Sequence, residues 1–217
     1  MDQAGTGTSA PLLGEPLPVE LMNTIWADRD GVHDALATPE QACGWLQAIG
    51  DRLAPQPSAV TAWLEEARPD GVAPALDQLR PLRDALRRLA AETTTDPPPA
   101  AQSATRNRVD ALQVLNRACA AAPTWSSLHW TPDDEPRREL HTDATPGQVV
   151  AATLAEQAID LFTSGHAAGL RACPAPGCVL YFVKQHPRRE WCSAACGNRA
   201  RVARHYRRHR TQPTETA

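Results

Sequence analysis

CPAPGCVLYFVKQHPRREWCSAACGNRARVARHYRRHR, residues 173–210, contains four of the chain's six cysteines, spaced Cys173-x4-Cys178-x13-Cys192-x3-Cys196. Two short-spaced pairs suit a tetrahedral metal, because each turn presents two sulfurs and the ion joins the turns. Zinc takes four thiolates in this way at structural sites. Pro174, Pro176 and Gly177 give the first pair the residues of a tight turn. Between the pairs, VLYFV and REWC have strand composition, with KQHPRR as the connecting turn. Cys192 and Cys196 fall at the start of an arginine-rich helix, whose dipole favours a thiolate. His186 is an alternative ligand, but four cysteines already close the shell. One structural zinc on Cys173, Cys178, Cys192 and Cys196 is therefore expected.

Charge separates this module from the rest of the chain. Residues 171–210 carry ten Lys/Arg and one acid (+9), whereas residues 1–170 carry twelve Arg and 23 Asp/Glu (−11). A basic module of this kind points to nucleic acid or another polyanion. On a helical wheel Arg201, Arg204, Arg207 and Arg208 share one face. Val202 and Tyr206 lie on the other, where the hairpin is expected to pack. Guanidinium groups match phosphate oxygens and the guanine edge, so DNA is the expected partner, with Arg199 a further contact nearer the packed face. Gly197 costs about 1 kcal/mol inside a helix relative to alanine; close backbone approach to metal or phosphate gives it a reason. Asn198 bonds the finger's own turn or a base edge. Two rivals remain. One is a protein-interaction module, whose arginines meet another protein or the chain's own acidic body. The other is an RNA-binding module, although the finger lacks an aromatic stacking platform.

Upstream the chain reads as mainly helical, without internal repeats. Residues 1–15 are a loose tail by composition, and 212–217 a second one. TPEQACGWLQAIGDRL (38–53) has Thr38 as N-cap, Pro39 at the first helical position and Gln41 for a capping box. Further helices follow Ser58 and run through Leu76–Leu89, with Pro81 a kink or early break. Another passes through Val109, Leu112, Leu115 and Cys119, and the last covers 146–164 with Val149, Val150, Leu154, Ala158 and Leu161 inward. TTTDPPPAAQS (93–103) is an exposed loop. WSSLHW and RRELHT flank a Pro/Asp-rich turn and fit a small hairpin. Cys43 and Cys119 lie singly on apolar faces and act as small core residues. Asn23 faces either a ligand pocket or a satisfied core position.

DRDGVHD (28–34) fails the calcium-loop pattern, lacking an acid at the fifth position and glycine at the sixth, so Asp34 reads as a cap or turn residue. No phosphate loop, HExxH or nucleophile elbow occurs, and a closed four-cysteine zinc site has no open position to activate water. No enzyme activity and no catalytic residue are expected. Without a basic, apolar leader or a membrane span, a cytoplasmic location is expected, where thiols stay reduced.

Knuckle, hairpin and helix in this order resemble a treble-clef zinc finger. The pattern RAC…C…WCSAACGNRARVARHYRR resembles the CGNR zinc-finger family, whose motif here is Cys196-Gly197-Asn198-Arg199. LPVELMNT (17–24) and HDALATPEQACGWL (33–46) resemble the ABATE domain that precedes this finger in many bacterial proteins. Glu20 and Lys184 stand where aspartate is expected in similar proteins. The resemblance implies a transcriptional regulator with a helical domain at 16–168 and a DNA-binding finger at 169–211. The first domain would sense a small molecule or form a homodimer.

Overall fold

The computed structural model describes residues 10–53, 55–94 and 103–210, without the side chains of 166 and 208–210. The first nine residues of the expected tail, the 212–217 tail, most of the 93–103 loop and the Arg208 side chain fall outside that set.

Eight α-helices and three two-stranded antiparallel hairpins follow one another along these residues. Helix α1 (Leu17–Met22) leads into β1 (Ile25–Ala27) and β2 (Val32–Asp34), whose cross-strand pair Trp26 and His33 stack at 5.1 Å. The DRDG turn between them closes through the Asp28 N–H on the Gly31 carbonyl. Asp34 ends β2 and caps the turn that follows: its carboxylate accepts the Leu36 N–H at 2.8 Å. Helix α2 (Pro39–Ile49) starts where Thr38 accepts the Gln41 N–H. After α3 (Ser58–Glu66) and the short α4 (Pro69–Val72) comes α5 (Leu76–Thr93).

Pro81 does not end α5, which continues past it to Thr93. A proline removes one backbone donor and one bond near the helix start, and the buried face of α5 compensates. Leu76, Leu79, Leu82 and Leu86 line that face, and so do Arg83 and Arg87, 4% and 1% exposed. Helix α7 (Pro146–Thr163) crosses behind, with a complete capping box at Thr145 and Gln148 and all five expected apolar residues buried. At Gly147 a Cβ would lie 2.5 Å from that of Ala75, so only glycine lets α7 approach this closely. Gly147→Ala is expected to destabilise the fold by about 1–3 kcal/mol through overpacking. Calorimetry should then show a lower melting temperature, and an unchanged one would disprove the tight approach.

Helix α6 (Arg108–Ala120) turns a different face inward from the expected one. Ala111 and Leu115 are buried, Cys119 is half-buried, and Val109 and Leu112 are exposed. Apolar residues occupy more than half of its wheel, so periodicity alone does not select the stripe. The expected hairpin forms, with β3 (Trp125–His129) on β4 (Arg137–His141).

The third hairpin, β5 (Leu170–Ala172) with β6 (Tyr181–Val183), precedes α8 (Ala194–Arg210). Its buried residues belong to the same core cluster as those of α1, α2, α5 and α7. Residues 10–15 are not a loose tail either. Ala10 and Glu15 are buried, and the Glu15 carboxylate accepts the Val183 N–H at 2.9 Å.

Candidate metal centre and basic helix

The turn CPAPGC is the tip of the β5–β6 hairpin. Gly177 sits at φ +71°, in the left-handed region that glycine occupies without strain, and the Cys178 N–H closes the turn on the Ala175 carbonyl. The ladder continues past the strands, from the Cys173 N–H to the Leu180 carbonyl. The partner of β6 is therefore Leu170–Ala172 and not the expected REWC. That segment is irregular because Arg189 holds it otherwise. The Arg189 guanidinium lies 4.9 Å over the Phe182 ring, donates to the carbonyls of Val183 and Cys192, and pairs with Glu15.

The second cysteine pair arrives on α8. Ser193 caps this helix by accepting the Cys196 N–H at 3.2 Å. Gly197 lets Trp191 lie flat on the helix: a Cβ there would meet the indole at 3.3 Å. The four sulfurs are buried and lie within 4.8 Å of one another. The distances are 3.8 Å for Cys178–Cys192, 3.4 Å for Cys192–Cys196 and 3.7 Å for Cys178–Cys196. Zinc–sulfur bonds of about 2.3 Å in a tetrahedron give edges of about 3.8 Å, so the residues fit one zinc ion. His186 stays outside the cluster, with its Nδ1 accepting the Arg188 N–H.

Hydrogen bonding among the thiols holds Cys173 and Cys196 below the ordinary thiol range and pushes Cys178 and Cys192 above it. Four thiolates around a dication remove that conflict but leave a net negative site. Two donors offset the charge: the Cys192 N–H on the Cys173 sulfur at 3.5 Å and the Arg199 guanidinium on the Cys196 sulfur at 3.1 Å. Arg199 is half-buried, nearer the packed face as expected, and donates to the metal site. Asn198 accepts from Arg201 and so braces the helix surface.

Beyond Ala200 the helix stands clear. Arg201, Arg204 and Arg207 are exposed, and so are Val202 (54%) and Tyr206 (65%). The expected packing of Val202 and Tyr206 on the hairpin does not occur, because Tyr181, Phe182 and Val183 are committed to the helical body.

Asn23, Glu15 and Arg87 make that commitment. The Asn23 side chain donates to the Tyr181 carbonyl at 2.9 Å and accepts its N–H at 2.8 Å. It thus replaces a neighbouring strand along the free edge of β6, and its position is a satisfied core one. Glu15 does the same one step on, at Val183. From α5, Arg87 donates to the carbonyls of Met22 at 2.5 Å and Val179 at 3.1 Å, with its guanidinium 5.3 Å from the centre of the Tyr181 ring. Burial lowers the Arg87 pKa to about 10, so it stays charged. Burial also raises the pKa of Glu20 above the ordinary carboxylate value, against hydrogen bonds from the Leu13 and Glu15 N–H groups. The one sequence signal for Arg83 and Arg87 is their spacing, which continues the leucine stripe of α5.

A helical domain clasping a four-cysteine finger defines a two-part zinc protein. Residues 15–165 match the ABATE family, described as "Putative stress-induced transcription regulator", and residues 170–209 match the CGNR zinc finger. The chain belongs to the ABATE family. Both families are of non-enzymatic kinds. No curated protein matches the chain. Among the described residues no helix is long and apolar enough to cross a membrane.

Proposed function

We propose that this protein is a cytoplasmic transcription regulator that binds DNA through the exposed part of α8, with zinc fixing the root of that helix. The observation that carries the reading is a helix without a single carboxylate that exposes Arg201, Arg204 and Arg207 to solvent. Exposed guanidinium groups at helical spacing suit successive phosphates, and a helix of this width enters the major groove. The family description, a transcription regulator, agrees with it. The exposure of these arginines also argues against their docking on the acidic body.

Each phosphate neutralised contributes about −0.9 to the slope of log K against log salt. Replacing Arg201 and Arg204 by alanine should make that slope shallower by about 1.8. Zinc content should not change, because neither residue is a ligand. Fluorescence titration of one duplex at several salt concentrations reads the slope. If wild-type protein binds DNA without salt dependence, or not at all, the reading fails and the arginines serve another partner.

A further inference from the structure

The outer edge of β3 is unprotected. Among the described residues the β3–β4 hairpin has no third strand, and every residue of β3 is exposed. β4 shares a cleft with α3, where Arg138, Glu139 and Leu140 border the same space as Thr61, Ala62 and Glu65. That arrangement makes β3 the outer strand. Edge strands are ordinarily defended by charge, proline or a bulge. β4 has Arg137, Arg138 and Glu139, whereas WSSLHW (125–130) has no charged residue and no proline. It exposes Trp125 (49%), Leu128 (69%) and Trp130 (67%) instead.

We propose that β3 pairs antiparallel with β3 of a second copy of this chain, about a two-fold axis through Ser127, giving a four-stranded sheet across a homodimer. The occupant is argued from the self-complementarity of the strand. In this register Ser127 meets its own copy, and Trp125 opposes the second copy's His129. Leu128 opposes the second copy's Ser126 and lies diagonal to the second copy's Leu128. The chain already uses cross-strand Trp–His pairs twice, at Trp26–His33 and at Trp125–His141, the latter stacked at 6.0 Å. Opposed residues share a face, so Trp125 is flanked by His141 on one side and the second copy's His129 on the other. A shift of one residue sets Trp125 against Leu128 or Trp130 of the second copy and loses both new Trp–His pairs.

Two five-residue edges and their apolar side chains bury on the order of 1,000 Å² in total, the low end for a stable dimer. A reversible association in roughly the micromolar range is expected. The proposal is independent of what α8 binds.

Sedimentation equilibrium of the full-length, zinc-loaded protein from about 1 to about 200 μM tests it. Wild type should pass from monomer to dimer, with tryptophan emission moving to shorter wavelength as Trp125 and Trp130 are covered. Ser127→Lys and Ser127→Glu should each weaken association at least about tenfold, because like charges then meet on the axis. An equimolar mixture of the two should associate again as a heterodimer. Thermal melts of both variants check that the body is intact, and Leu128→Lys, off the axis, should weaken the dimer as well. A wild type that stays monomeric throughout, a dimer indifferent to these changes, or a mixture that fails to recover would each overturn the proposal.

Discussion

Cys178→Ser, or stripping zinc with a strong chelator, should unfold residues 170–210 and also lower the melting temperature of the helical body. Structural zinc contributes about 10–16 kcal/mol to the folding of small finger peptides, so the hairpin and α8 do not outlast its loss. The effect on the body follows from the shared core. Once the finger opens, Arg87 loses the Val179 carbonyl and the Tyr181 ring, and Asn23 loses both of its partners. Arg87 keeps the Met22 carbonyl, but a buried charge that loses one of its two acceptors is costly, at up to about 3–5 kcal/mol by analogy with a broken buried pair. At about 2–4 °C per kcal/mol in a chain of this size, calorimetry should show a drop of roughly 10 °C. Metal analysis showing zinc retained by Cys178→Ser, or a body melting as before, would count against the arrangement.

The second large effect belongs to Asn23. Replacing it with alanine leaves the N–H and the carbonyl of Tyr181 buried and unpaired, and each orphaned group costs about 1–3 kcal/mol. Asn23 is fully buried, so water does not take its place without opening the core. A loss of about 2–5 kcal/mol in denaturant unfolding is expected. Asn23→Asp separates the two bonds: a carboxylate still accepts from the N–H but repels the carbonyl. Its loss should be comparable and should shrink as the pH falls and the side chain is protonated, because the neutral acid regains a donor. Equal stability of wild type and Asn23→Ala would show that this clasp does not hold the finger.

The parts of this structure legible in the sequence are those with local signals. Thr38 and Thr145 announce their helices with a cap, a proline and a glutamine within four residues, and the cysteine spacing alone locates the metal. The apolar face of α7 is read correctly because polar residues bound it on both sides. Failure begins where partners are distant. Asn23 and Tyr181 are 158 residues apart, and Glu15 and Val183 168. An arginine such as Arg87 is ordinarily read as solvent-exposed, since nothing local tells it that two carbonyls and a ring await it. REWC has strand composition, but composition cannot weigh the contacts that hold Arg189 elsewhere. Val202 and Tyr206 have the amphipathic spacing that implies a covering surface, yet spacing does not say that the surface lies in the same molecule.

Among the described residues of the 17-residue α8, the buried ones lie in its first two turns, at Cys196, Gly197 and Ala200. At 1.5 Å per residue, Arg207 lies about 20 Å along the axis from Ala194. A tilt of about 10° at the root would swing that far charge by about 3–4 Å, close to the rise of one nucleotide along a strand. The indole of Trp191 on Gly197 and the guanidinium of Arg199 on the Cys196 sulfur therefore act as the fulcrum of a lever. A small slackening there misaligns every arginine further out. The metal's contribution at the far end of the helix is aim.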